Sequence, residues 1–246
     1  MLTITNWNIE RVFPRSHRWK RVEEMLNQLQ ADVVVLTEAH THMSPGKGFN
    51  GVFGGIPYGE FRQGEVRCAI WSQFELLSLS ELVGDLPDCA AARLIHPIYG
   101  GISVFACILP YLGRSWQGIP TKGGQAFQSA LADFRAAWNT IVDRFPEDTL
   151  IVAGDFNQSM TRSHYYGSYI QRAALERVLA EDELNILTAM DDDPVMRASH
   201  PHACIDHICV SRSANLQLLQ SERWPDTAAP DRSFSDHFAI KVQLEK

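Results

Sequence analysis

The sequence predicts an α/β (α+β) protein with two packed β-sheets flanked by helices. Three observations carry this. Short apolar runs recur along the 246 residues and read as buried strands. One helical pattern lies near the start, and a longer one lies just before a central apolar run. Between Glu65 and Leu109, strand-like runs follow each other with only turns between them. A doubly wound parallel sheet would need a helix at most of those crossings, and this region supplies none.

Leu2 to Ile9 alternates as a strand, and Trp19 to Gln30 places Trp19, Val22, Met25, Leu26 and Leu29 at helical spacing. Val33 to Thr37 is a second strand, which delivers Glu38. From His40 to Gly64 the chain is rich in Gly and reads as loops around one short strand. Arg67 to Trp71, Phe74 to Leu79 and Ala92 to Ile95 have the rhythm of an antiparallel meander, and Ile102 to Leu109 is a stronger strand ending at Pro110. Phe127 to Phe145 carries Phe127, Leu131, Phe134, Trp138, Ile141 and Val142 at helical spacing until Pro146 stops it. Leu150 to Ala153 is a buried-strand run that leads into Gly154-Asp155-Phe156-Asn157. A helix follows from about Tyr169 to Ala180, and Ile205 to Val210 and Phe238 to Leu244 are the last strong strands. No repeat or linker-like composition divides the chain, so residues 1–246 are expected to form one domain.

Composition narrows the function. The net charge of −7 disfavours a protein that grips long DNA mainly by neutralising phosphates. The N-terminal stretch lacks the apolar block of a secretory signal, and no run approaches the length of a membrane span. The five cysteines, Cys68, Cys89, Cys107, Cys204 and Cys209, are an odd number and are expected as buried thiols in a reducing cytoplasm.

Polar residues stand where the apolar runs stop: Asn8 and Glu10, Glu38, Asp155 and Asn157, Asp206, and Asp236 with His237. Asn or Asp at one strand end often serves only as a turn former. Recurrence at five strand ends marks a shared site at a sheet edge. Asn8 and Glu10 share parity, as do Asp155 and Asn157, so each pair is expected to enter one pocket. Hard oxygen donors point to magnesium or manganese, and so to phosphate chemistry.

The segments TNWNIER, VVVLTEAH, IVAGDFNQS, ACIDHICVS and SFSDHFAI resemble the endonuclease/exonuclease/phosphatase superfamily in order and spacing, from Leu2 to Ile240. The resemblance implies a four-layered sandwich of two mixed sheets between helices, and hydrolysis of a phosphoester by metal-activated water. Glu38 matches the principal metal ligand, with Asn8, Glu10 and Asp236 around the same ion. Asp155 matches the residue that orients and deprotonates water. Asn157 and His237 match donors to the scissile phosphate, and Asp206 matches the carboxylate that orients the His237 ring. Glu10 departs from the family's usual Asp. A His or Tyr phosphate donor expected near the end of the preceding strand is replaced by Cys107 or Ile108, and Tyr111 or Arg114 is a candidate to compensate. The implied substrate is a nucleic acid, a nucleotide or a phosphorylated small molecule or lipid head group. A phosphodiesterase is favoured over a phosphomonoesterase, and a non-catalytic binding module that retains the fold is the rival of another class.

Other features have plainer readings. His200, His202, Cys204, His207 and Cys209 match no usual zinc spacing. Asp191, Asp192 and Asp193 read as a solvated turn before Pro194, and His40 and His42 as a solvated loop beside Glu38. Trp116, Arg114 and Lys122 fit either substrate stacking or loop packing. His164, Tyr165 and Tyr166 lie close enough to Asp155 to shape specificity.

Overall fold

The computed structural model describes residues 1–55, 62–161, 165–196, 203–227 and 229–246. In chain order the elements are β1 (Leu2–Asn8), α1 (His17–Leu29), β2 (Val33–His40), β3 (Asn50–Gly54), β4 (Glu65–Ser72), β5 (Leu77–Ser78), α2 (Ser80–Val83), β6 (Cys89–His96) and β7 (Gly100–Ile108). They continue with α3 (Gln125–Arg144), β8 (Thr149–Asp155), α4 (Tyr169–Glu181), β9 (Leu184–Ile186), β10 (Asp206–Ser211), β11 (Gln217–Trp224) and β12 (Ala239–Glu245).

Two six-stranded sheets form, ordered β11-β12-β1-β2-β4-β3 and β5-β6-β7-β8-β10-β9. Each is mixed. The β1–β2 and β7–β8 pairs run parallel at the sheet centres and the other pairs are antiparallel.

Strand alternation sorts the side chains into three cores. Leu2, Ile4, Val33 and Val35 of the first sheet meet Ile102, Val104, Ile151 and Ile208 of the second in the layer between the sheets. Trp7, Val34, Leu36 and Trp71 face the opposite way, onto Val22, Met25, Leu26 and Leu29 of α1. Phe105, Val152 and Cys209 pack against Phe127, Phe134 and Trp138 of α3 and Leu175 of α4. Helix, sheet, sheet, helix is the four-layered order expected.

Local chemistry fixes the helices. The Ser16 hydroxyl caps α1 by accepting from the Trp19 amide, and Gln30 ends the helix in a left-handed conformation. Ser168 caps α4 in the same way. Burial of each large apolar side chain, Leu26 for example, contributes about 1.5–3 kcal/mol.

The structure corrects several local expectations. Of the run from Phe74 to Leu79, only Leu77–Ser78 pairs as a strand. Val142 continues the helical spacing of α3 yet is exposed. The strand β11 went unpredicted because its sequence, QLLQSERW, is polar and carries no β-branched residue; pairing with β12 makes it a strand. Trp116 is buried and donates its indole N–H to Asp133, so it is loop packing and no stacking platform. Asp193 belongs to no solvated turn: it is fully buried and accepts from the amides of Val195, Met196 and Cys204. His40 is also buried, bonded to the Gln63 carbonyl and packed on Trp19, so it is neither a solvated residue nor part of the pocket.

All five cysteines are free and buried. Cys204 lies between the sheets, Cys209 faces the helices, and His207 bonds Thr188 and the Gln158 carbonyl. No zinc cluster therefore forms among the described residues; His200 and His202 lie outside them. No described helix is long and apolar enough to cross a membrane.

Candidate active site

The strand ends named from the sequence converge at one edge of the inter-sheet layer. On β1, Leu2, Ile4, Asn6 and Asn8 share the inward face; the first two are apolar and fill the core, and the last two are amides. Asn6 donates to the carbonyls of Gly154 (2.9 Å) and His207 (3.3 Å), joining the first sheet to the backbone of the second. Asn8 donates to Asp155 Oδ2 at 3.2 Å.

Asp155 ends β8 directly opposite Asp206, the first residue of β10. Gly154 before it has φ 148°, and a Cβ there would stand 1.8 Å from the Cys107 carbonyl oxygen, so only glycine lets β7 and β8 approach this closely. Beyond Asp155, the Asn157 amide donates to Asp155 Oδ1 (2.9 Å), and its side-chain NH₂ donates one hydrogen to the Leu109 carbonyl (2.9 Å).

His237 precedes β12. Its backbone is clamped from β1, because Trp7 Nε1 donates to the His237 carbonyl, while Ser235 Oγ accepts from the His237 amide and donates to the Asn8 carbonyl. Its ring donates from Nδ1 to Asp206 Oδ2 at 2.7 Å, and Asp236 Oδ1 lies 3.8 Å from Nε2.

Charges at this edge are strongly coupled. Burial pushes the Asp155 carboxyl up to about 7; Asp206 adds to the rise, His237 and the Asn157 amide oppose it, and Glu38 raises it further. Burial works against a charge on His237, but Asp206, Asp155 and Asp236 outweigh it and lift the imidazole to about 10. His237 is therefore a cation at neutral pH, and without another positive charge nearby Asp155 holds its proton well above the usual carboxylate range.

A family model for the endonuclease/exonuclease/phosphatase family matches residues 5–237. The chain belongs to this family. Its members hydrolyse phosphoester bonds and generally use a divalent metal. Solved structures of the family superpose on the whole chain. A 3′-5′ exonuclease from Neisseria meningitidis is 19% identical, with a TM-score of 0.65 and 100% of both chains covered. The mannosyl-6-phosphatase of Bacteroides thetaiotaomicron is 17% identical, with a TM-score of 0.66 and 100% of both chains covered. The catalytic domain of human Nocturnin, with bound sulfate, is 18% identical, with a TM-score of 0.63 over 99% of this chain and 94% of that one. No curated protein matches the chain by sequence. At these identities the solved structures establish the shared endonuclease/exonuclease/phosphatase fold.

The family's site residues are not equally convergent here. Asn8, Asp155 and Asn157 are hydrogen-bonded together, Asp206 and His237 form a second bonded pair beside them, and Glu38 is near enough for its charge to act on Asp155. The Glu10 amide donates to Asn8 Oδ1 at 2.9 Å, but the Glu10 carboxylate does not join them. The φ of 49° at Glu10 breaks the strand parity it was expected to share with Asn8, and its carboxylate pairs with Arg18 of α1 at 2.5 Å. Glu38, within β2, and Asn157, just past β8, also take left-handed φ of 50°, so the backbone is locally strained at both places.

The fit to a divalent cation rests on the donor set. Carboxylates of Asp155, Asp206 and Asp236 are gathered about one imidazolium, Glu38 acts on Asp155, and Asp206 Oδ1 is buried without a hydrogen-bond partner. Ligand atoms of Asp155, Asp206 and His237 lie within 4.8 Å of one another. Within that group the hydrogen bond between His237 and Asp206 ties those two together.

Sequence reasoning missed Asn6, Arg67 and Asp88. Arg67 stands across β2 from Glu38, its Nη1 3.4 Å from Oε1, while its Nε donates to Asp88 at 2.7 Å. The available signal was a charged residue inside EVRCAIWS, an otherwise apolar run. Cys107 faces the helices and Ile108 the inter-sheet core, so neither offers a donor. Tyr111 and Arg114 lie in the loop beyond and line a cavity with Glu38. Tyr166 is close enough to feel the charge of Asp155. His164 lies outside the described residues.

Proposed function

We propose that the protein is a magnesium- or manganese-dependent phosphodiesterase. The observation that carries this is the buried Asp155 carboxylate set beside a His237–Asp206 pair bonded at 2.7 Å. Glu38, Asn8 and Asp236 are assigned to hold the ion, with Glu10 left to Arg18. Those residues would hold a divalent ion, which when bound would supply positive charge to offset the negative charge developing on the phosphate.

The chain's own groups then divide the work. Asp155, oriented by Asn8 and by the Asn157 amide, accepts the proton of the attacking water. In-line attack adds negative charge to the nonbridging oxygens. His237, held as an imidazolium by Asp206, and the remaining Asn157 N–H donate to those oxygens as the charge develops. Asp206 keeps the His237 ring oriented and charged.

The test is turnover on phosphodiesters and phosphomonoesters, including single- and double-stranded DNA, RNA and inositol phosphates, with magnesium or manganese. Asp155→Asn is expected to lower kcat by at least about 10²-fold, the scale of a lost general base, and EDTA to abolish turnover. Activity unchanged in that variant would sink the mechanism. Faster hydrolysis of monoesters than of diesters would move the assignment to a phosphomonoesterase, and inactivity on every substrate would favour a binding module.

A further inference from the structure

The cavity beside Glu38 carries more guanidinium groups than hydrolysis of one phosphoester uses. About 500 Å³ in volume, it is lined by Arg11, Glu38, Arg67, Tyr111, Arg114 and Ser115. Asp88, wholly buried, anchors two of the arginines. Its Oδ1 accepts from Arg67 Nε at 2.7 Å, and its Oδ2 is 2.7 Å from Arg114 Nη2, an ion contact without hydrogen-bond geometry. Arg67 comes from β4 of one sheet and Arg114 from the loop after β7 of the other, so one carboxylate fixes an arginine from each layer. Arg11, more exposed, is held by the buried Glu65 at 2.9 Å.

The backbone is shaped for this arrangement. The Asp88 carbonyl accepts from the Ile108 amide at 2.9 Å, and its φ is 58°. At Gly55 a Cβ would lie 2.6 Å from Arg67 Cβ and 2.9 Å from the Asp88 amide, so a side chain there would push the pair apart.

Burying Asp88 with two guanidiniums costs several kcal/mol of desolvation, and such a network seldom stabilises a fold more than apolar packing would. What it does provide is a rigid set of donors. The balancing carboxylates of Asp88 and Glu65 are 0% and 4% exposed, and Arg67 and Arg114, at 10% and 14%, reach the cavity wall over a small part of their surface beside Arg11 and Glu38. A planar guanidinium held in place suits the paired oxygens of a phosphate.

We propose that this cavity is a second anion subsite. The preferred substrate carries, besides the scissile phosphoester, a further phosphate that Arg67 and Arg114 receive, with Arg11 at the rim. This rests on the phosphoesterase reading of the neighbouring site, with which the cavity shares Glu38. The substrate is a small bisphosphorylated molecule, since a net charge of −7 works against a long polyanion.

Binding tests this without turnover. In the Asp155→Asn background with magnesium, calorimetric titration compares adenosine 3′,5′-bisphosphate with adenosine 5′-monophosphate, and glucose 1,6-bisphosphate with glucose 6-phosphate. At least one bisphosphate is expected to bind about tenfold more tightly than its monophosphate, and which pair shows the gap distinguishes a nucleotide from a sugar scaffold. Arg67→Gln and Arg114→Gln should each close most of that gap and leave monophosphate affinity within about twofold. Arg67→Gln strands a buried carboxylate, so Arg67→Gln combined with Asp88→Asn is made alongside it to preserve folding. Equal affinities in the parent, no binding of either bisphosphate, or equal weakening of both ligands in the variants would overturn the subsite. Because turnover is measured separately, an inactive enzyme that still prefers a bisphosphate would overturn the phosphoesterase reading and leave the subsite standing.

Discussion

At the scale of single residues, Asp155 and His237 give the metal-free protein a characteristic dependence on pH. Asp155 is raised from 3.8 to about 7, so between those values the folded state holds more protons than the unfolded chain, and stability falls as pH rises. His237 is raised from 6.5 to about 10, and its contribution is fully present below 6.5 and lost as pH climbs through 10. Burial lowers His40, His96 and His207, whose contributions rise with pH over the same range, so the Asp155 effect is read as a difference between proteins. In EDTA, the thermal midpoint of the parent relative to Asp155→Asn should fall from pH 4 to 7. A difference that stays constant from pH 4 to 7 would refute this charge assignment.

Asp155, Asn157, Asp206 and His237 were legible in the sequence because each stands at the end of an apolar run. Glu10 was misleading, because parity holds only while the strand continues, and a left-handed residue ends it. Asp88 could not be read at all. Its meaning lies in two arginines 21 and 26 positions away in the chain, brought to it by separate sheets.

At the scale of elements, the site depends on how closely neighbouring strands approach. Gly154→Ala places a methyl group against the Cys107 carbonyl and must force β7 from β8, so it should cost at least about 2 kcal/mol in urea unfolding and displace Asp155. A variant with wild-type stability would mean that the two strands are not held this tightly. The central strands and the three long helices were readable from period and capping. The edge strands β11 and β9 were not: β11 is polar and β9 has three residues, and both are strands because a neighbour offers hydrogen bonds, while β5 keeps only two residues of the run read there.

At the scale of the whole molecule, ion binding and stability are linked. An ion that binds only the folded state adds about 2.7 kcal/mol at one hundred times its Kd, roughly 5–11 °C for a chain of this length. Magnesium or manganese should raise the midpoint of calorimetric unfolding accordingly over an EDTA control, and Glu38→Gln should remove most of the gain. No shift with either ion would contradict the assignment of Glu38.

The two sheets meet over interdigitated aliphatic side chains, whose burial holds the layers together but carries no hydrogen bond from one to the other. The reacting groups come from both layers, so a small slip between them would put Asn8 out of step with Asp155 and His237 out of step with Asp206. Asn6 supplies what the oily contact lacks. Its amide grips two carbonyls of the opposite layer and acts as a dowel pin, locating one plate against the other and turning a merely cohesive stack into an aligned one.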